Sequence, residues 1–118
     1  MRLIIYGVGA IGGTVAAGLT RAGREVIGIA RGARLQALQD RGLHFRTPPL
    51  EDRVRFPLVE DPSQIEFRPD DAVMLALKTQ HVEPALERLR AAGWSSGPIF
   101  CALNGIESER LALRRFPN

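Results

Sequence analysis

Apolar runs and helical patterns alternate along this chain. Arg2 to Tyr6 is apolar on both faces, as a strand buried in a parallel sheet must be. Glu25 to Ala30, Asp71 to Leu77 and Ile99 to Leu103 repeat the pattern. Each run is followed by apolar residues at helical spacing. Ile11 to Ala22 reads as the first helix, with Ile11, Val15, Gly18 and Leu19 on one face. Ala33 to Arg41 is a second, with Leu35 and Leu38 inward, and Val82 to Ala92 a third. Glu107 to Phe116 is the last, with Leu111 and Phe116 as core candidates. Gly23 and Gly42 stand where helix C-terminal caps fall. Pro84 is expected within a first turn, where a helix tolerates it.

Between these units Leu43 to Thr47 predicts a short strand, ended by Pro48-Pro49. Glu51 to Val59 alternates in part, with Val54, Phe56 and Leu58 against Arg53 and Arg55, and predicts an exposed antiparallel or edge strand. Pro57 suits an edge, where a missing N–H costs no ladder bond. Asp61 to Asp70 is expected to be a connecting loop or a poorly formed turn of helix. Strands alternating with helices define an α/β fold with a mostly parallel sheet. No repeat or internal boundary interrupts it, so residues 1–118 read as one domain. Ligands of such sheets gather at the carboxyl ends of the strands. That singles out the residues just after Tyr6, Ala30, Leu77 and Leu103.

After Tyr6 comes Gly7-Val8-Gly9-Ala10-Ile11-Gly12, glycines spaced G-x-G-x-x-G between a strand and a helix, the pattern of a dinucleotide-binding turn. Gly7 permits the turn, Gly9 lets backbone approach a pyrophosphate, and Gly12 allows close packing of helix on strand. The helix N-terminus then presents free N–H groups to the anion. After Ala30, where an NAD-binding protein offers an acid to the ribose, this chain offers Arg31-Gly32-Ala33-Arg34. A guanidinium pairs bidentately with phosphate. Arg31 therefore points to a 2′-phosphate and to NADP(H), the other reading being an exposed arginine at a helix start. Arg34 reads as a solvated helix residue. Lys78 leaves a strand at the ligand edge and is a candidate anion or carbonyl contact. Asn104-Gly105 offers an amide for a hydroxyl or nicotinamide, or forms an ordinary turn. His44 reads as a structural strand residue and Cys101 as a buried one. Two histidines and one cysteine at unrelated spacing make no metal site.

Composition adds few constraints. The formal net charge is +3, and Lys78 is the only lysine. The arginines are scattered, which argues against a nucleic-acid stripe, while a modest positive field favours a phosphorylated ligand. No apolar run approaches the ~20 residues of a membrane helix. The first strand starts beside Met1, so no signal peptide is expected. One cysteine cannot form an internal disulfide, so a reducing, cytoplasmic setting is expected.

Taken together, Gly7-Val8-Gly9-Ala10-Ile11-Gly12-Gly13, Ala30-Arg31-Gly32-Ala33-Arg34-Leu35, Gly42-Leu43, Ala76-Leu77-Lys78 and Asn104-Gly105 resemble the N-terminal domain of the ketopantoate reductases, the 2-dehydropantoate 2-reductase family. The resemblance implies a Rossmann-type, doubly wound sheet and reduction of a 2-oxo acid ketone by NADPH, on the route to pantothenate and coenzyme A. It implies that the glycine turn holds the pyrophosphate and Arg31 the 2′-phosphate. Lys78 and Asn104 would lie beside the nicotinamide and the substrate. His81, Leu103 and Glu107 depart from the family pattern and bear on the substrate more than on the cofactor. The family's C-terminal helical domain, which supplies a proton-donating lysine, is not represented in these residues. A cofactor-binding portion unable to turn over alone is therefore expected, open to self-association or a partner chain through its exposed face. The alternative is a non-catalytic nucleotide-responsive or interaction module.

Overall fold

The computed structural model describes residues 2–47, 50–94 and 97–101. Its elements run β1 (Arg2–Tyr6), α1 (Ala10–Arg21), β2 (Glu25–Ile29), α2 (Gly32–Arg41), β3 (Leu43–Thr47), β4 (Leu50–Val54), β5 (Leu58–Val59), a 3-10 turn over Pro62–Gln64, β6 (Asp71–Leu75), α3 (Thr79–Ala91) and β7 (Ile99–Cys101). Five strands form one parallel sheet in the order β5-β2-β1-β6-β7. The chain winds outward from β1 through β2 to β5, then returns to the other side of β1 for β6 and β7. The order thus reverses beside β1, the switch point where α/β sheets open a crevice beyond the strand ends.

Alternation along β1 sorts the core. Ile4 and Tyr6 join Val73 and Leu75 of β6 on the face covered by Val82, Ala85, Leu86 and Leu89 of α3. Ile5 packs on the opposite face with Val26, Met74 and Ala16 of α1. β3 and β4 form a separate antiparallel pair. Leu43 and Val54 of that pair close a third cluster with Val8, Ala17 and Leu38.

The single strand expected over Glu51 to Val59 is two. β4 pairs with β3, whereas β5 pairs in parallel with β2 at the sheet edge. Pro57 lies between them and its carbonyl accepts the Gly28 N–H at 2.9 Å. Pro57 therefore divides the segment instead of sitting within a strand. β1 and β3 have the expected bounds, and the ends of the other described strands and helices differ by one to three residues or extend past the described residues. α3 begins at Thr79, three residues ahead of its expected start, so Pro84 lies inside the helix. Its missing N–H leaves the Gln80 carbonyl without an intrahelical donor. Gln80 and Pro84 are both exposed, so water can satisfy that oxygen.

The inward face of α1 also differs from the expected one. Gly12, Gly13, Ala16 and Ala17 are buried, Val15, Gly18 and Leu19 partly so, and Ile11 is 52% exposed. Close approach to the sheet selects small residues, so the most hydrophobic side chain of the first turn points away. Cys101 is half-buried on β7 rather than fully buried. Leu103 and the expected helix Glu107 to Phe116 lie outside the described residues, as does Pro48-Pro49. No described helix is long and apolar enough to cross a membrane.

Opposite the ligand edge, Arg2 and Asp71 pair at the amino ends of β1 and β6. Arg2 Nε donates to Asp71 Oδ1 at 2.8 Å and Nη2 to Oδ2 at 2.6 Å. Arg2 Nη2 also donates to the Glu66 carbonyl, and the Arg68 N–H donates to Asp71 Oδ2. Both side chains are buried.

Candidate functional site

At the carboxyl end of β1 the chain turns through Gly7, whose φ of +105° favours glycine. Its N–H donates to the Ile29 carbonyl at 3.0 Å, tying the turn to β2. A Cβ at Gly7 would stand 2.5 Å from the Ala76 carbonyl oxygen, just past β6. Gly12 faces back into the same turn, where a Cβ would overlap the Gly7 carbonyl oxygen and meet Ala76 Cβ at 3.0 Å. Gly9 is the exception, since nothing lies within 4 Å of a Cβ placed there. It is the N-cap of α1, which has neither a side-chain cap bond nor an acidic residue in its first turn. Ala10 and Ile11 open that helix. Its first amides are therefore uncapped by any side chain beneath an open approach, the arrangement that accepts an anion.

The turn borders a cleft of about 270 Å³, lined in part by Tyr6, Gly7, Gly9, Ala30, Arg31 and Leu77. Val8 is buried, and its carbonyl accepts Arg34 Nε at 2.7 Å. Arg34 is exposed, but it is not merely solvated as expected: it pins the peptide at the centre of the turn. The available signal was its position three residues after Arg31, which places both on one side of a helix start. The partner carbonyl, distant in sequence, gave none.

Arg31 is the N-cap of α2 and roughly half-exposed. Its Nη2 lies 3.4 Å from Asp61 Oδ1, and Arg88 Nη1 of α3 holds the same oxygen at 2.8 Å. Nothing in the local sequence marks Asp61 as part of a site. It caps the 3-10 turn, accepting the Ser63 N–H. That bond, with the Arg88 guanidinium, holds its carboxyl below the usual range. The stability this contributes is complete above the ordinary carboxylate pKa and is lost as pH falls through the lowered one. Burial pushes the Tyr6 phenol up, opposed by Arg31 and Arg88, so it stays protonated at neutral pH.

The structure thus brings Gly7, Val8, Gly9 and Arg31 to one cleft, with Ala10, Ile11 and Gly12 in the helix turn behind it. Lys78 stands on the same edge as the exposed N-cap of α3, directly after Leu77 of the cleft wall. Asn104 lies outside the described residues. His44 is exposed on β3. Among the described residues no three His, Cys, Asp or Glu side chains gather as a metal site would require.

Residues 3–118 match the family described as ketopantoate reductase PanE/ApbA. A 2-dehydropantoate 2-reductase of Mesorhizobium japonicum is 40% identical over 107 residues, which are 90% of this chain and 32% of that protein. The crystal structure of a PanE/ApbA family ketopantoate reductase from Ralstonia eutropha superposes with a TM-score of 0.84 at 29% identity, over 98% of this chain and 38% of the other. A D-mandelate dehydrogenase solved with NADH and anilino(oxo)acetate gives 0.83 at 27% identity, over 99% and 38% respectively. The chain spans about a third of the length of the 2-dehydropantoate 2-reductases it matches, 32% in each case.

Proposed function

The chain belongs to the ketopantoate reductase PanE/ApbA family, and from that premise we propose that it is the NADP(H)-binding part of a 2-dehydropantoate 2-reductase-like oxidoreductase. The observation that carries this reading is the open face over Gly9 with the Arg31 guanidinium at the neighbouring strand end. The uncapped amides of α1 and the backbone at Gly9 would hold the pyrophosphate. Arg31 would hold the 2′-phosphate, since a guanidinium can swing from a 3.4 Å ion pair onto a doubly charged partner. When bound, the reduced nicotinamide supplies a hydride to the ketone carbon of a 2-oxo acid. Lys78, the only lysine, would set its ammonium group against the substrate's carboxylate or the alkoxide that develops at the carbonyl. The Asn104 amide would orient the nicotinamide or substrate by hydrogen bonding. The proton donor would come from the C-terminal helical domain that the resemblance implies, so these residues alone should bind nucleotide without turnover. The setting proposed is cytoplasmic, with a small 2-oxo acid as substrate and no nucleic-acid partner.

Arg31→Ala tests the assignment. A hydrogen bond to a charged group is worth about 1.5–3 kcal/mol, so NADPH affinity should fall roughly tenfold to a hundredfold while NADH affinity changes little. Calorimetric titration of both nucleotides reads this directly. Equal weakening of the two would mean that Arg31 does not read the 2′-phosphate.

A further inference from the structure

The acid missing after β2 has a counterpart on the adjacent strand. Asp61 follows β5, the parallel neighbour of β2, and reaches Arg31 from the side. A second cavity, of about 430 Å³, lies here, lined by Arg31, Glu60, Asp61, Ser63, Gln64 and Arg88. Arg31 lines this cavity as well as the glycine cleft. The two spaces therefore meet at the side chain proposed to sit beside the adenosine ribose. Of the two carboxylates in the wall, Asp61 is the one in contact with Arg31 and Arg88.

The two contacts are unequal. Arg88 holds Asp61 at 2.8 Å, a normal charge-assisted hydrogen bond, whereas Arg31 reaches it only at 3.4 Å. Arg88 is thus the principal counter-ion of Asp61, and Arg31 is loosely held. A ribose carrying a free 2′-hydroxyl could donate to the Asp61 carboxylate. A ribose carrying a 2′-phosphate would draw Arg31 away but meet the negative charge of Asp61.

We propose that Asp61 is a coenzyme-discriminating residue, accepting the ribose 2′-hydroxyl of NADH and opposing the 2′-phosphate of NADPH, with Arg88 as the positioning residue that tempers its charge. The proposal rests on the nucleotide-binding reading above. It makes the preference for NADPH a balance between Arg31 and Asp61 rather than the work of Arg31 alone.

The test is calorimetric titration of NADPH and NADH into the chain and two variants. Asp61→Asn removes the charge yet keeps an oxygen able to cap the 3-10 turn. It should raise the NADPH-to-NADH affinity ratio about tenfold, which corresponds to about 1.4 kcal/mol. Arg88→Gln, on the exposed face of α3, removes the principal counter-ion of the carboxylate and should lower the same ratio severalfold. Opposite movements support the proposal, because a purely structural role would weaken both nucleotides together. An unchanged ratio in Asp61→Asn, or equal weakening of both nucleotides, overturns it while leaving the nucleotide site intact. Failure of the parent chain to bind either nucleotide overturns the site reading itself, and the proposal with it.

Discussion

Gly12→Ala should destabilise the fold by about 3 kcal/mol, the upper part of the range for overpacking a tight interior. The added methyl would overlap the Gly7 carbonyl oxygen, and the usual relief, a shift of the turn, is blocked. Gly7 is itself seated against the Ala76 carbonyl, and its N–H is committed to Ile29. Against a typical domain stability of about 5–15 kcal/mol, this is a large loss. It should appear as a lower urea midpoint together with loss of nucleotide binding. Gly9→Ala provides the contrast. Its backbone has a negative φ and its surroundings are open, so stability should change by less than about 0.5 kcal/mol. Nucleotide affinity should nonetheless fall, because the methyl would stand where the pyrophosphate approaches. If Gly9→Ala left binding unchanged, the anion would have to sit elsewhere.

Asp71→Ala should cost more, about 3–5 kcal/mol, the usual penalty for removing one partner of a buried ion pair. Arg2 would remain buried with its charge uncompensated, keeping its hydrogen bond to the Glu66 carbonyl, and the Arg68 N–H would lose its acceptor. Replacing both members, as Arg2→Met with Asp71→Leu, should recover much of the loss, because the desolvation cost disappears with the charges. Urea unfolding of the two variants measures this. The pair lies at the amino ends of the strands, so nucleotide affinity of whatever remains folded should match that of the parent. A loss under 1 kcal/mol for Asp71→Ala would show that water reaches the pair.

The parallel core was readable because burial on both faces makes each central strand a continuous apolar run, and Arg2 to Tyr6 emerged with its ends intact. The glycine turn was equally legible, since its spacing encodes a backbone geometry that few other residues can adopt. Other features depend on contacts distant in sequence. Pro57 looked like a residue within an edge strand, but its neighbours join two different sheets, a choice made by β2 and β3 rather than by the local pattern. Ile11 shares a face with Val15, Gly18 and Leu19 by helical spacing, whereas α1 approaches its neighbours so closely that its fully buried positions are Gly12, Gly13, Ala16 and Ala17 and Ile11 is exposed. Asp61 and Arg88 carry no local signal, because a lone acid in a loop and an arginine on a helix are common. The parallel placement of β5 beside β2 brings Asp61 to Arg31, and Arg88 reaches Asp61 from α3. Arg34 reads as solvated from its helix position alone, and its bond to Val8 appears only once the turn and α2 are placed together.

The central claim is that the glycine turn and Arg31 together form an NADP(H) site. The most direct measurement is calorimetric titration of the chain with NADPH and, separately, with NADH at physiological ionic strength. One nucleotide should bind per chain, with NADPH the tighter of the two. No binding of NADPH, or an affinity for NADH equal to or greater than that for NADPH, would contradict it.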